Sequence, residues 1–234
     1  MLYYLEQKQR SARLQWPTPC LFCGRAALQP RLCAGCTESL PWNRQACPVC
    51  ALPQTTLVPH RCAACSARAP SFDAAWSAFR YEAPIERAIH GLKYHAKFHL
   101  GALLGGIMAM QAAQRPGALP QLLIPVPLHS TRLRWRGYNQ ALELARGAKQ
   151  HAEIDVDADA IRRVRATADQ IGKTARERAK NIVGAFVATR DLRGLHVAII
   201  DDVMTTGSTV GEVARICRDA GAGLIEVWTV ARAP

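Results

Sequence analysis

The sequence has no aspartate before Asp73, no acidic residue between Leu128 and Gln140, and only one cysteine, Cys217, after residue 65. It also lacks an apolar run of the roughly 20 residues that a bilayer-spanning helix needs; the longest, Leu100 to Met110, falls well short. The N-terminal MLYYLEQKQR has neither an apolar h-region nor a small-residue cleavage site. Membrane insertion and secretion are therefore not expected, and a cytoplasmic protein is. An apolar share of 49% and a mean hydropathy of −0.05 rule out a disordered or collagen-like chain. The 234 residues leave room for one ordinary domain and something small. Acids are scarce relative to bases, 18 against 30, and the formal charge of +12 points to polyanionic partners such as nucleic acid or phosphorylated ligands.

The cysteines divide the chain. Eight of the nine lie between Cys20 and Cys65, in the order Cys20-x2-Cys23-x9-Cys33-x2-Cys36 and Cys47-x2-Cys50-x11-Cys62-x2-Cys65, so one pattern of paired cysteines occurs twice. Each CxxC turn aims two thiolates at one ion, and two such turns complete a tetrahedral four-sulfur site suited to zinc. Four thiolates leave no open position for water, so two structural zinc ions are expected rather than hydrolytic metal chemistry. His60 could replace a ligand, but eight thiols already serve two ions, and an exposed His60 is expected. About 50 residues cannot bury enough apolar surface to fold alone, so metal binding should supply most of this segment's stability. Two such sites, each with net charge −2, lower the formal +12 to about +8. With a small polar linker at Ser66 to Pro70, the expected domains are a cysteine-rich segment, 1–70, and a second domain, 71–234.

From Phe72 onward extended and helical patterns alternate, which predicts βα units around a mainly parallel sheet. Strands are expected at Ala74–Tyr81, Leu122–Val126, Ala160–Val164, Val197–Asp201 and Leu224–Val230. Helices are expected at Pro84–Lys93, Leu100–Gln114, Tyr138–Gln150, Ala175–Phe186 and Ser208–Ala220. Cys217, four residues after Val213 on the last helix, reads as a buried core thiol.

The stretch VAIIDDVMTTGST, Val197 to Thr209, carries the chemistry. A buried parallel strand delivers Asp201 and Asp202 to the sheet's C-terminal edge, and a helix beginning near Ser208 aims unpaired N–H groups at the space above it. Thr205, Thr206, Ser208 and Thr209 add hydroxyl donors, and Gly207 permits close backbone approach by an anion. Adjacent carboxylates beside a phosphate are costly unless hydroxyls or a metal occupy them. A ligand with a phosphate at one end and a cis-diol nearby explains both features.

The stretch resembles the 5-phosphoribosyl-1-pyrophosphate (PRPP) signature of type I phosphoribosyltransferases. That resemblance implies that Thr205 to Thr209 grip the ribose 5-phosphate and that Asp201 and Asp202 hold the ribose hydroxyls, with Mg2+ bridging pyrophosphate and ribose oxygens. Adding the cysteine segment, FDAAWSAFRYEAPIERAIHGLKY, RGYNQ at Arg136 to Gln140 and the run Thr167 to Phe186, nearly the whole chain resembles the ComF/GntX family. Members of that family carry a double zinc ribbon on a type I phosphoribosyltransferase-like α/β domain and are associated with natural competence and use of external DNA.

Two segments concentrate the positive charge. Leu128 to Gln140 holds Arg132, Arg134 and Arg136 with no acid, and Arg162 to Asn181 holds seven bases, among them Arg165, Lys173 and Arg176, against Asp169 and Glu177. Each follows an expected strand, so both should lie on the edge of the phosphate loop. The type I resemblance implies a pyrophosphate-lining loop at Leu128 to Arg136 and a lid at Arg165 to Asn181. Trp135 among arginines also suits stacking on a base, so single-stranded DNA is a second expected ligand. Purine-specific relatives place an acid at the position of Thr205, which this chain lacks, and the chain ends four residues after Val230 with no expected base-selecting hood. Three functions fit: a PRPP- and DNA-binding protein working with DNA-uptake proteins, a conventional nucleobase phosphoribosyltransferase, and a non-catalytic scaffold.

Overall fold

Four consecutive apolar residues, Val197 to Ile200, with no polar side of their own and two β-branched isoleucines among them, suit a strand covered on both faces. That strand is the middle of the sheet in the computed structural model, which describes residues 18–27, 31–56, 60–165 and 181–234. In chain order the strands are β1 (Thr18–Pro19), β2 (Ala26–Ala27), β3 (Ala74–Arg80), β4 (Leu122–Pro125), β5 (Asp155–Val156), β6 (Ile161–Arg163), β7 (Phe186–Ala188), β8 (His196–Met204) and β9 (Leu224–Arg232). The described helices are α1 (Ala34–Ser39), α2 (Ala63–Ala67), α3 (Ile85–Tyr94), α4 (Phe98–Ala112), α5 (Ser130–Arg136), α6 (Gln140–Lys149) and α7 (Ser208–Asp219). By packing, the chain falls into one unit up to Leu40 and a second from Pro41 to Pro234, whereas the composition changes near Pro70.

In the second unit a five-stranded sheet has the order β3-β9-β8-β4-β5, with every pair parallel. From β8 the chain crosses through α7 to β9, and from β4 through α6 to β5 on the opposite side. The direction of winding therefore reverses between β4 and β8, and the crevice at their C-terminal ends is where an open α/β sheet receives ligands. Helix α4 is apolar nearly all round because it is covered on more than one side: Leu103, Leu104, Ile107 and Met108 are buried. Its contact with α6 depends on glycine. A Cβ at Gly105 would overlap Leu144 O, and one at Gly147 would stand 2.8 Å from Ala102 O. Cys217 is fully buried in the core beneath α7, where burial pushes its thiol up to about 12.

The expected strands at Ala74, Leu122, Val197 and Leu224, and helices at Pro84, Leu100, Tyr138 and Ser208, match observed elements within about three residues. Three readings need correction. The segment expected at Ala160–Val164 is β6, but it pairs antiparallel with β7 outside the main sheet. The fifth place is taken by the two-residue β5, after which Asp157 Oδ1 accepts the N–H groups of Asp159 and Ala160 (both 2.9 Å) and turns the chain away. Phe186 begins β7 rather than ending a helix, and the rest of that expected helix up to residue 180 lies outside the described residues. Ser130–Arg136, expected as loop, is α5, begun by the His129 ring accepting the Thr131 N–H (3.3 Å).

Candidate phosphate site and metal centres

Strand β8 runs past its apolar stretch to carry Asp201, Asp202 and Met204 to the C-terminal edge. The turn to α7 needs a left-handed residue, and Gly207 supplies it at φ 75°. Thr206 and Ser208 hydroxyls lie 2.9 Å apart, and the Ser208 N–H donates weakly to Thr206 Oγ1 (3.4 Å). Thr205 and Thr206 are exposed, and Gly207, Ser208 and Thr209 are half-buried, so the loop presents hydroxyls and helix-end N–H groups to an incoming anion.

The two aspartates differ. Asp202 is 4% exposed, with Lys93 Nζ at 3.3 Å from Oδ2, and that oxygen makes no hydrogen bond among the described residues. Asp201 Oδ1 accepts the Asp202 N–H (2.9 Å), yet burial and the Asp202 charge hold its carboxyl well above the usual carboxylate range. The Asp202 charge in turn raises the Lys93 pKa, against the pull of burial. Lys93 comes from the last turn of α3, far from β8 in sequence, and is a candidate site residue that motif reading missed. Its only signal was its place in HGLKY, inside the stretch that carried the family resemblance.

Arg163 is the second such residue. Burial, with the charges of Arg132 and Arg165 behind it, lowers its guanidinium to about 10, while Asp201 opposes the shift. Arg163 therefore lies within electrostatic reach of each of them, and it also stands 5.4 Å from the Phe186 ring centroid. The antiparallel β6 thus brings a cation to the acids without belonging to the parallel sheet. Arg165, by contrast, is engaged elsewhere: its Nη2 donates to Asn181 O (3.1 Å) and Val183 O (2.5 Å), closing the neck of the segment expected as a lid. Lys173 and Arg176 lie outside the described residues.

On α5, Arg134 is exposed and Trp135 is 77% exposed, Arg132 is half-buried, and Arg136 turns inward to donate to Gln140 Oε1 (2.6 Å) and lie 5.4 Å from the Tyr94 ring centroid. The rest of RGYNQ is a joint. Gly137 ends α5, the Tyr138 hydroxyl donates to Leu92 O and accepts the Ala96 N–H (3.2 Å), and Asn139 caps α6 while its amide donates to Val126 O (3.1 Å). The motif fixes α5 against α3 and the end of β4.

The two cysteine groups repeat one design. In the first, the Cys20 N–H donates to Arg25 O (2.7 Å) and the Gly24 N–H to Cys20 O (2.9 Å). In the second, Cys47 donates to Leu52 O (2.8 Å) and Ala51 to Cys47 O (2.9 Å). Each turn is followed by a short helix, α1 or α2, that carries the second pair. Within each group the four sulfurs lie within 4.8 Å of one another, and both groups can hold zinc. The donor chemistry fits: burial opposes the Cys20 and Cys47 thiolates, but amide donors outweigh it and bring each pKa down to about 6. Cys36 is pushed up to about 12 by burial and its thiol neighbours, which is the strain a cation would relieve. His60 is exposed, exchanging hydrogen bonds with Gln54.

The second group belongs to the sheet unit. Ala75 N–H donates to Val49 O (2.8 Å), Asn43 Nδ2 to Ala51 O (2.9 Å), and Arg232 Nε to Cys50 O (3.1 Å). Burial lowers the Arg232 pKa, and the thiols of Cys50, Cys62 and Cys65 push it back. Among the described residues no helix is long and apolar enough to cross a membrane.

Comparison with known proteins agrees with this layout. The phosphoribosyl transferase domain family matches residues 136–234. The DNA utilization protein YhgH of Escherichia coli (strain K12) is 32% identical over 206 residues, covering 86% of this chain and 90% of that protein. The YhgH protein of Salmonella typhimurium is 33% identical with the same coverage. Competence protein F of Haemophilus influenzae is 32% identical over 212 residues, again 86% of this chain and 90% of its own.

Proposed function

This chain belongs to the ComF/GntX family, with a phosphoribosyltransferase-like parallel sheet and two four-cysteine groups, and from that premise we propose that it binds PRPP at the end of β8 and single-stranded DNA beside it. The observation that carries this reading is the convergence of opposite charges at one switch point: Asp201, Asp202 and the 205–209 loop from β8, with Lys93, Arg132 and Arg163 arriving from three other elements. Thr205 to Thr209 hold the 5-phosphate, Asp201 and Asp202 the ribose hydroxyls, and the cations face the pyrophosphate. Magnesium brought with PRPP neutralises part of that pyrophosphate charge. Zinc in both cysteine groups is structural.

The relatives' names, DNA utilization and competence, support a role in the uptake or use of external DNA, in the cytoplasm and alongside DNA-uptake proteins. Arg134 and Trp135 on α5 supply the cation and the stacking face that single-stranded DNA needs. The deciding experiment is competition: PRPP should displace a labelled oligonucleotide, and simultaneous binding would assign DNA to another face. Trp135→Ala should weaken the oligonucleotide by about tenfold, within the roughly 1–3 kcal/mol of one stacked base, and leave ribose 5-phosphate binding and thermal stability unchanged. Affinity should fall with salt at a log–log slope near −0.7 per phosphate contacted; a salt-independent affinity contradicts the electrostatic role. Pyrophosphate release on adding an acceptor base would assign glycosyl transfer to the same site.

A further inference from the structure

Arg232 ends β9 and is 7% exposed. No carboxylate pairs with it among the described residues; its hydrogen bonds go to backbone carbonyls. Nε donates to Cys50 O (3.1 Å), and Nη1 donates to Met204 O (3.2 Å) and to Ala233 O. The Ala233 N–H also donates to Met204 O (3.0 Å). Cys50 is a ligand position of the second cysteine group, and Met204 is the last residue of β8, bonded directly to Thr205 of the phosphate loop. One buried cation therefore holds both the metal-binding turn and the root of the loop.

A buried guanidinium is tolerated where its donors are satisfied and an opposite charge is near. Here Nε and Nη1 are met by the carbonyls of Cys50, Met204 and Ala233, and the opposite charge is that of the thiolates, −2 for four of them around one zinc ion. We infer that Arg232 is a positioning residue for the phosphate loop, and that it makes ligand affinity at Thr205–Thr209 depend on metal in the Cys47, Cys50, Cys62, Cys65 group. The affinity part rests on the PRPP reading; the mechanical part does not. Loss of the metal loosens the turn that presents the Cys50 carbonyl, so the guanidinium loses its fixed anchor on that side and its hold on Met204 O weakens.

Calorimetry with ribose 5-phosphate on the full chain tests this. Cys65→Ser and Arg232→Met should each weaken binding about tenfold, within the usual range for coupled sites. Arg232→Lys, which keeps the charge but cannot reach both carbonyls, should fall between. Combining Cys65→Ser with Arg232→Met should add little to either alone, because both break one linkage. Cys36→Ser, in the first group, should leave affinity unchanged. Fully additive losses, or no loss in Cys65→Ser, would overturn the inference. Should these variants fail to fold, hydrogen exchange on the unaltered protein decides. Chelation should release the amides of Ala233 and Gly211, bonded to Met204 O and Gly207 O, while that of Val126 at the end of β4 stays protected. Unchanged Ala233 and Gly211 amides would overturn the coupling. Exchange that responds in a protein unable to bind ribose 5-phosphate would instead overturn the PRPP reading alone.

Discussion

The two cysteine groups are built alike and situated differently. In the first, Cys20 is buried, Cys23 is exposed and Cys33 and Cys36 are half-buried; in the second, Cys47, Cys62 and Cys65 are all buried, packed with Val49 and Leu52. The first closes a unit of its own. The second is stitched to β3 through Val49 and to β9 through Arg232, so it stabilises the sheet as well as itself. A repeated motif thus need not have a repeated role: the same turn organises a small separate unit in one place and is part of the sheet unit in the other.

The largest effect should come from breaking the second group. Cys62→Ser removes a buried ligand whose N–H also donates to Cys47 Sγ (3.3 Å), and the lost metal should cost on the order of 3 kcal/mol or more. Thermal unfolding of the sheet unit should shift downward accordingly. Cys23→Ser should release one equivalent of zinc and leave that transition where it was. Equal shifts in the two variants would erase the distinction.

Acid should separate the groups next. Metal needs thiolates; burial and thiol neighbours hold Cys36 and Cys65 above the ordinary thiol value, so metal displaces their protons even at neutral pH, and as pH falls through about 6 protons compete at Cys20 and Cys47 as well. The lowered thiols, Cys20 and Cys47, contribute stability that is full above the ordinary thiol value of 9.0, partly retained at neutral pH and lost as pH falls through about 6, so the metal-linked stability of both groups falls on acidification. Zinc release followed with a colorimetric indicator should show two steps. The first group, open to solvent, should go first without changing near-ultraviolet circular dichroism, and the second should go with loss of that signal. A single concerted step contradicts the comparison.

Sequence showed the cysteine repeat and the βα order clearly, because both are local: spacing within a few residues, or apolar runs such as Val197–Ile200. The short β5 left no periodic signal, since two residues cannot show one, and β6 was legible as extended but not as antiparallel, because pairing partners are set by tertiary structure. The candidate site divided the same way. Asp201, Asp202 and Thr205–Thr209 stand together in one segment. Lys93, Arg163 and Arg232 reach the same edge from α3, β6 and β9, each an ordinary basic residue in its own neighbourhood. RGYNQ read as a family mark, and its Tyr138 and Asn139 turn out to be a structural joint.

The smallest expected effect is also the most discriminating, because it concerns equivalent positions in the two turns. Gly24 and Ala51 occupy the same place after Cys20 and Cys47, with φ 75° and 55°. Gly24 is exposed and a Cβ there would meet nothing within 4 Å, so Gly24→Ala adds left-handed strain without adding contacts. It should destabilise the first unit by about 1 kcal/mol, measured as roughly fivefold easier zinc loss to a chelator. Ala51 carries the same strain, about 1–2 kcal/mol, but is 2% exposed within the sheet's core. Ala51→Gly relieves that strain while losing about 0.8 kcal/mol of methyl burial and about 0.5–1 kcal/mol to the freer unfolded chain. The terms nearly cancel, so stability should change by no more than about 0.5 kcal/mol. A clear gain for Ala51→Gly would mean that the methyl group contributes nothing to the core, and that the second turn is no more integrated than the first.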